Sequence, residues 1–341
     1  MLLDSNPHPT GNLLIAPPPP GSINAAEVTV WTSPARAPLA GRLLDEMGHT
    51  VRPIGVGGPR SGEIDDLGKQ LDCPAGNDLR KLLIDQPAAF LLVTSLRDVS
   101  IAELRSAAEA GTKIVSLEPL TVELDELARR DAAVPDAAVT VAPSFARSPG
   151  YLAAADPQES LATPRMVRLT SLGQPIHGSL VGRLLDAWTT LLEFVALPET
   201  IHASLTGPTQ PVRQIAGQLA AHARIANGSA VLVEASDNAA QPRRELSVAS
   251  QDSHLSVTDT HYELRENTGR LLDASDPPPD QAGPPPSFEF LVADQWRKLL
   301  DRPAPAASPL GPALACVHAC ILSARTGQPE RPDTLLQLQQ T

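Results

Sequence analysis

The chain has 341 residues, a length that suggests two domains, and 42% of them are hydrophobic, as in an ordinary globular protein. Its net charge of −12 disfavours binding to nucleic-acid phosphates and to anionic membrane surfaces. No apolar run approaches the ~20 residues that span a bilayer, and the first residues lack a signal-peptide pattern. Three cysteines suit a reducing compartment better than a disulfide scaffold. We therefore expect a cytoplasmic protein with no nucleic-acid or membrane partner.

Strands and helices alternate through the first 145 residues. After a proline-containing arm over 1–24, which we expect to be disordered, apolar patterns predict strands over 27–32, 50–56, 89–94 and 113–117. Helical periodicity is found over 35–47, 63–71, 78–84, 101–110 and 122–131. Such alternation indicates a parallel sheet with right-handed crossover helices. Residues 25–145 are therefore expected to form a Rossmann-like domain.

The second half of the chain is richer in strands. After a strand over 165–170 and an amphipathic helix over 180–195, short strands are predicted over 200–205, 218–225, 230–235, 245–249, 255–258, 262–265 and 270–272. Asn227 and Gly228 are a strong hairpin signal between two of these strands. Residues 146–330 are thus expected to form an α+β domain, in which helices flank a mainly antiparallel sheet.

Prolines interrupt this second domain near its end. A Pro-rich linker over 276–287 precedes two closing helices over 288–300 and 310–326, and residues 331–341 are interpreted as a tail. Cys316 and Cys320 share one face of the last helix, and we interpret them as small core residues rather than as a metal or redox pair. The expected fold class is therefore α/β plus α+β.

Two segments resemble a known family. Residues 89–120 read AFLLVTSLRDVSIAELRSAAEAGTKIVSLEPL, with Glu-Ala-Gly at the end of a helix and Pro-Leu after the next strand. Residues 313–329 end in SARTGQP. Through these motifs and the order of its elements over 25–330, the chain resembles the Gfo/Idh/MocA oxidoreductases, relatives of glucose–fructose oxidoreductase and inositol dehydrogenase. The resemblance implies a nucleotide-binding domain, an interdomain cleft for a small molecule, and a homo-oligomer formed through the C-terminal sheet.

The resemblance places a dinucleotide site after the first strand, where the family has a G-x-G-x-x-G/A turn. The residues at the implied cofactor positions are Thr32, Ser33, Ala35, Thr94 and Ser95. The turn over 32–38 reads TSPARAP and contains no glycine. Its two prolines also lack the N–H groups that could bind a phosphate.

The second strand adds a further departure, because the first carboxylate after it is Glu63, too late to hold a ribose in the usual way. We therefore expect no cofactor. The alternative is an altered but working site for NAD or NADP, in which Arg36 or Arg60 reaches a phosphate.

The implied catalytic positions depart from the family pattern as well. The Lys of the family's Glu-Lys-Pro motif falls on Glu118, or on Pro119 if the match is shifted by one residue. An Asp and a His four residues apart, on the helix that opens the second domain, fall on Gly182 and Asp186. His177 lies just before this helix. Glu118, Asp186 and His177 are therefore the catalytic candidates of the cleft.

Three functions are consistent with these departures. We favour an oxidoreductase-like protein that has lost NAD(P) binding and hydride transfer and acts by binding or assembly. The alternative is an NAD(P)-dependent sugar or polyol dehydrogenase with unusual active-site residues. A third is a lyase or hydrolase, which would need two convergent carboxylates with shifted pKa values.

Two groups of polar residues outside the cleft are interpreted as surface. Asp252 and His254 together with Asp259 and His261 could ligate a divalent ion, but strand alternation explains them as a polar face. We therefore expect no metal site. The arginine pair at 243–244 is interpreted as solvated side chains.

Overall fold

The computed structural model describes residues 25–338 except 97, 136–137, 209–214, 277–284 and 302–309. The expected disordered arm over 1–24 and most of the Pro-rich linker therefore lie outside the described residues. No helix in the described residues is long and apolar enough to cross a bilayer.

The first sheet is parallel throughout, as the alternation of strands and helices predicts. Its strands are β1 (Ala26–Trp31), β2 (Val51–Gly57), β3 (Ala75–Gly76), β4 (Phe90–Val93), β5 (Lys113–Ser116) and β6 (Val139–Val141). They are arranged in the order β3-β2-β1-β4-β5-β6. The central strands β1 and β4 are apolar and buried because helices cover both faces. This order is that of a Rossmann-like sheet.

Five helices connect these strands: α1 (Ala37–Met47), α2 (Gly62–Gln70), α3 (Leu79–Asp85), α4 (Ile101–Glu109) and α5 (Leu124–Ala133). A 3₁₀ turn over Pro34–Arg36 joins β1 to α1. The N-terminus of α4 has a capping box, in which Ser100 and Glu103 each satisfy a backbone N–H of the other. These helices confirm the periodicity found in the sequence to within a few residues at each end.

A sixth helix joins this domain from far along the chain. Helix α9 (Phe288–Asp301) packs against the first sheet, with Val292, Ala293 and Trp296 fully buried in the first domain's core. The ring of Trp296 contacts Phe90 of β4 at 6.0 Å between centroids. The sequence boundaries place this helix in the second domain, whereas its apolar face completes the first.

The second sheet has eight strands: β7 (Met166–Leu172), β8 (Thr200–Thr206), β9 (Gln218–Arg224), β10 (Ala230–Ser236), β11 (Arg243–Ala249), β12 (Ser253–Thr258), β13 (Tyr262–Glu266) and β14 (Leu271–Ala274). Their order is β14-β13-β12-β11-β7-β10-β9-β8. Strands β7 and β10 pair in parallel, and the other neighbours are antiparallel. The sheet confirms the mainly antiparallel second domain expected from the sequence.

Helices cover one face of this sheet. They are α6 (Pro149–Ala153), α7 (Ala155–Ser160), α8 (Leu180–Leu191), α10 (Leu310–Thr326) and α11 (Pro332–Leu338). Cys316 and Cys320 of α10 are fully buried, and Cys320 accepts a hydrogen bond from the indole of Trp188 at 3.4 Å, which confirms them as core residues. The segment interpreted as a tail contains α11, which packs on α10 through Leu335 and Leu336.

Candidate functional site

The crevice at the carboxyl ends of β1 and β4 is where a sheet of this order binds ligands, because the strand order reverses there. In this protein, side chains at the two strand ends are hydrogen-bonded to each other. The hydroxyl of Thr94 donates to that of Thr32 at 2.6 Å, and both residues are fully buried. Two implied cofactor residues are therefore brought together, but they face each other rather than an open crevice.

The turn that follows β1 is occupied by its own hydrogen bonds. The amide of Arg36 donates to the carbonyl of Ser33 at 2.9 Å, and the amide of Ala37 donates to Pro34. Pro34 and Pro38 have no N–H at all. Four of the five residues over 34–38 therefore offer no amide to a phosphate. Ala35 is exposed at the tip of this turn.

The side chain of Arg36 crosses the end of the crevice. One of its nitrogens donates to the carbonyl oxygen of Thr94, and the other forms an ion pair with Glu118 at 2.7 Å. Both side chains are largely buried, with 14% and 13% of their surface exposed. Arg36 is therefore engaged by protein groups, instead of being free to reach a phosphate. Arg60 lies exposed on the loop after β2.

Glu118 is held from the other side by the start of α8. The amide of Ser179 donates to one carboxylate oxygen at 3.0 Å, and its hydroxyl donates to the other at 2.6 Å. The same hydroxyl accepts from the amide of Gly182, so Ser179 also caps the helix. The positive end of the helix favours a carboxylate here. A Cβ at Gly182 would lie 3.1 Å from Glu118, so a side chain at this position would crowd the contact.

These contacts test whether a dinucleotide fits. Its pyrophosphate needs free amides at the start of α1 and a backbone that can approach closely. Over residues 34–38, only the amide of Ala35 is neither absent nor donating within the turn, and Arg36 lies between the strand ends and Glu118. The backbone after β2 also packs tightly, since a Cβ on Gly58 would be 2.1 Å from the carbonyl oxygen of Thr32. The crevice therefore presents few free backbone donors to a pyrophosphate.

A separate cavity of about 850 Å³ lies between the two domains. Its walls come from the end of β5, the loop over 141–147, the start of α8 and the edge of β11 and β12. His177, Ser179 and Asp186 line it, whereas the five implied cofactor residues do not. The cavity is thus distinct from the closed crevice, with the contact between Arg36 and Glu118 beside it.

Asp186, a catalytic candidate from the sequence, is part of an ion-pair network in this cavity. Its oxygens accept from the amide of Phe145 at 3.0 and 3.1 Å, and one lies 3.4 Å from Arg244. Arg244 also pairs with Asp259 at 2.6 Å. Burial raises the pKa of Asp186, while Arg244 opposes that effect. Burial would lower the pKa of Arg244, but its two acidic partners raise it overall.

The same network fixes the loop between the domains. Arg244 donates to the carbonyl of Pro143 at 2.8 Å, and its guanidinium lies 5.6 Å from the ring centroid of Phe145. The side-chain amide of Gln295 on α9 accepts a hydrogen bond from the backbone N–H of Ser144 at 2.9 Å and donates one to its carbonyl at 2.7 Å. Asp186 therefore has a positioning role at the domain junction, since both oxygens are engaged by protein groups.

Two further arginines, Arg147 and Arg183, line the cavity, and their charges are less well neutralised than that of Arg244. Burial, together with the nearby charge of Arg244, lowers the pKa of Arg183 to about 10, against the opposite effects of Glu118, Asp237 and Asp186. Arg183 donates to the carbonyl of Gln174 at 3.2 Å. Burial also lowers the pKa of Arg147, on the 3₁₀ turn Phe145–Arg147. Neither guanidinium has a carboxylate within ion-pair distance among the residues that the structure describes.

His177 faces the cavity from the turn before α8. Its ring stacks on Phe288 of α9, with centroids 4.5 Å apart and planes 8° from parallel. Burial lowers the pKa of His177, and Arg183 lowers it further against the opposite effect of Glu289. The neutral imidazole therefore serves here as a stacking partner between two elements.

The polar residues of the second sheet do not form a metal site. Asp259 pairs with Arg244, and His254 is hydrogen-bonded to Ser247 at 2.8 Å. Within the described ranges, no group of three or more His, Cys, Asp or Glu could hold a metal ion. The interpretation of Arg244 as a solvated side chain is wrong, because the inward register of β11 buries it. Its position two residues before the buried Leu246 was the available signal.

The sequence matches no protein-family model and no curated protein. Solved structures match over most of the chain. UDP-N-acetylglucosamine 3-dehydrogenase from Acidithiobacillus ferrooxidans has 12% identity and a TM-score of 0.64, over 89% of this chain and 98% of that one. Levoglucosan dehydrogenase in complex with NADH and L-sorbose has 15% identity and a TM-score of 0.64, over 90% and 99%.

A third match is an oxidoreductase from Agrobacterium radiobacter in complex with NAD⁺, L-tartaric acid and magnesium. It has 14% identity and a TM-score of 0.66, over 91% of this chain and 99% of that one. The fold is that of the Gfo/Idh/MocA oxidoreductases. At this level of identity the likeness concerns the fold, and the chemistry has to be argued from the site.

The contact between Arg36 and Glu118 predicts a stability effect. We expect Arg36→Ala to lower the free energy of unfolding by about 1–3 kcal/mol, because the largely buried carboxylate loses its cation. Denaturant unfolding measures this value. The control is Arg105→Ala, which breaks an exposed helical pair with Glu109 and should cost less than about 0.5 kcal/mol. Equal effects of the two substitutions would contradict the role given to Arg36.

The environment of His177 predicts a pH dependence. Because its pKa is lowered in the folded state, the unfolded chain binds a proton first as the pH falls below 6.5. Stability is therefore present above pH 6.5 and is lost as the pH falls from there to the folded-state pKa. We expect His177→Phe and His177→Gln to reduce this loss equally, measured by thermal unfolding across that range.

The two variants differ in one respect that serves as the control. Phe at position 177 keeps a ring against Phe288, whereas Gln does not. They should therefore differ in absolute stability while sharing the flatter pH profile. A wild-type profile in both variants would show that another group is responsible.

Proposed function

We propose that this protein binds a small molecule in the interdomain cavity and does so without NAD(P), on a fold shared with NAD(P)-dependent oxidoreductases. The proposal rests on the position of the Arg36 side chain, which extends from the turn after β1 and forms an ion pair with Glu118. It joins the place where the pyrophosphate of a dinucleotide would lie to the place where the family has its Lys.

Displacing Arg36 has a cost that a nucleotide would have to offset. A cofactor that entered the crevice would leave Glu118 largely buried without its cation. An unsatisfied buried group of this kind costs about 1–3 kcal/mol, which corresponds to roughly a tenfold to hundredfold loss of affinity. Hydrogen bonds from the turn over 32–38 would offset little of this free energy, because most of its amides are absent or already donate to protein carbonyls.

The residues at the catalytic positions also favour binding over hydride transfer. The oxygens of Glu118 accept hydrogen bonds from Arg36 and Ser179, so they supply no donor where the family has an ammonium group. At the implied positions of the Asp and the His lie Gly182, without a side chain, and Asp186, which is engaged by Phe145 and Arg244. No proton-transfer group of the expected kind is left at these three positions.

The cavity itself is suited to a ligand. Its volume of about 850 Å³ lies within the range of small-molecule sites. Structural neighbours were solved with L-sorbose and with L-tartaric acid, each beside NADH or NAD⁺. We infer that this chain keeps the small-molecule site of the fold. The oligomer expected through the second sheet stays a prediction, to be checked by light scattering.

A dehydrogenase is the second candidate, favoured by one observation. Neighbours with the same fold were solved with NADH or NAD⁺ bound. This candidate requires Arg36 to leave Glu118 and to take up a phosphate instead. It would also require a proton donor other than the residues found at the family's catalytic positions.

Calorimetric titration with NADH and NADPH tests the proposal. We expect no binding up to millimolar nucleotide, and no change in the fluorescence of Trp31, whose side chain is buried at the end of β1. A functional sugar dehydrogenase of the same fold, titrated in parallel, shows that the nucleotide is competent to bind. Micromolar affinity of the wild-type protein would overturn the proposal and establish the dehydrogenase as the better account.

A further inference from the structure

The charge of the interdomain cavity differs from that of the whole chain. The chain carries a net charge of −12, yet four arginines line the cavity against three carboxylates. The arginines are Arg147, Arg183, Arg243 and Arg244, and the carboxylates are Asp186, Glu193 and Asp259. Guanidinium groups gathered in a cavity of an acidic protein can attract small anions.

The carboxylates of the cavity already have partners. Asp186 and Asp259 share Arg244, and Glu193 accepts a hydrogen bond from the phenol of Tyr151. Arg243 pairs with Glu245 on its own strand. Arg147 and Arg183 are the lining cations left without a carboxylate within ion-pair distance, as far as the structure describes the chain.

Arg183 is the clearer example of a cavity cation without a carboxylate partner. Its guanidinium lies against the backbone of Gly173, where a Cβ would come within 2.2 Å of it. One of its terminal nitrogens donates to the carbonyl of Gln174 at 3.2 Å. Its Nε is buried and has no hydrogen-bond acceptor among the described residues. The guanidinium thus donates to a neutral carbonyl and has no carboxylate within ion-pair distance among the described residues, so an anionic ligand at its terminal nitrogens would offset the cost of its partial burial.

Arg147 reaches the same cavity from another element. It lies on the turn over Phe145–Arg147, which Asp186 fixes through the amide of Phe145. Arg183 projects from α8, the helix that also contains Asp186. Two guanidinium groups on rigid elements can bind a carboxylate or a phosphate with paired, charge-assisted hydrogen bonds.

We propose that the cavity binds a small hydroxylated anion, a carboxylate or a phosphate ester, whose charged group is held by Arg147 and Arg183. Leu117, Leu172 and Leu291 supply apolar contacts to the rest of the ligand. The proposal names the ligand class for the proposed binding function and rests on it. Both anions use the same arginine chemistry, so the experiment distinguishes them.

The test is a calorimetric titration of the full chain, without nucleotide, using gluconate, glucose 6-phosphate and neutral sorbitol. We expect at least one of the two anions to bind about tenfold or more tightly than sorbitol, and the better anion identifies the charged group. Arg147→Gln and Arg183→Gln should each weaken that anion by about tenfold and leave sorbitol unchanged. The control is Arg168→Gln, which removes an exposed cation of β7 outside the cavity and should bind like the wild type.

Arg147→Lys keeps the proposal testable if Arg183→Gln fails to fold. It retains the charge but loses the planar pair of donors, so its affinity should fall between those of wild type and Arg147→Gln. The proposal is overturned if sorbitol binds as well as the anions, if Arg147→Gln binds them like the wild type, or if neither anion binds at high millimolar concentration. NADH binding would instead overturn the proposed function and leave these arginine effects intact.

Discussion

The carboxylate of Glu118 joins three parts of the molecule that are distant in sequence. It receives the guanidinium of Arg36 from the turn after β1 and two hydrogen bonds from Ser179 at the start of α8. Arg36 in turn donates to the carbonyl of Thr94 at the end of β4. One largely buried ion pair therefore connects the ends of β1 and β4 in the first domain with the start of α8 in the second.

Arg36 and Glu118 neutralise each other's charge between the turn after β1 and the start of α8. The pair is satisfied internally. Positive charge that could face a ligand is found instead on Arg147 and Arg183, in the cavity beside it. The two lining cations without a carboxylate partner among the described residues therefore lie in the interdomain cavity rather than in the crevice.

Periodicity and turn signals predicted the two-domain fold because long strands and helices repeat their apolar residues regularly. Strands β3 and β6 were missed, since two and three residues are too few to show a pattern. The docking of α9 on the first domain was missed because an apolar helix face does not specify which apolar surface it packs against. The partner of Arg36 is 82 residues away, so the sequence showed an unusual turn but could not show what closes it.

A crystal structure of the protein grown with millimolar NADH tests the central claim most directly. The account predicts that the guanidinium of Arg36 stays on Glu118 and the carbonyl of Thr94, with no nucleotide density over the ends of β1 and β4. Density for a pyrophosphate at the start of α1, with Arg36 turned away from Glu118, would contradict it. In that case the contact between Arg36 and Glu118 would be a resting state of a working dinucleotide site.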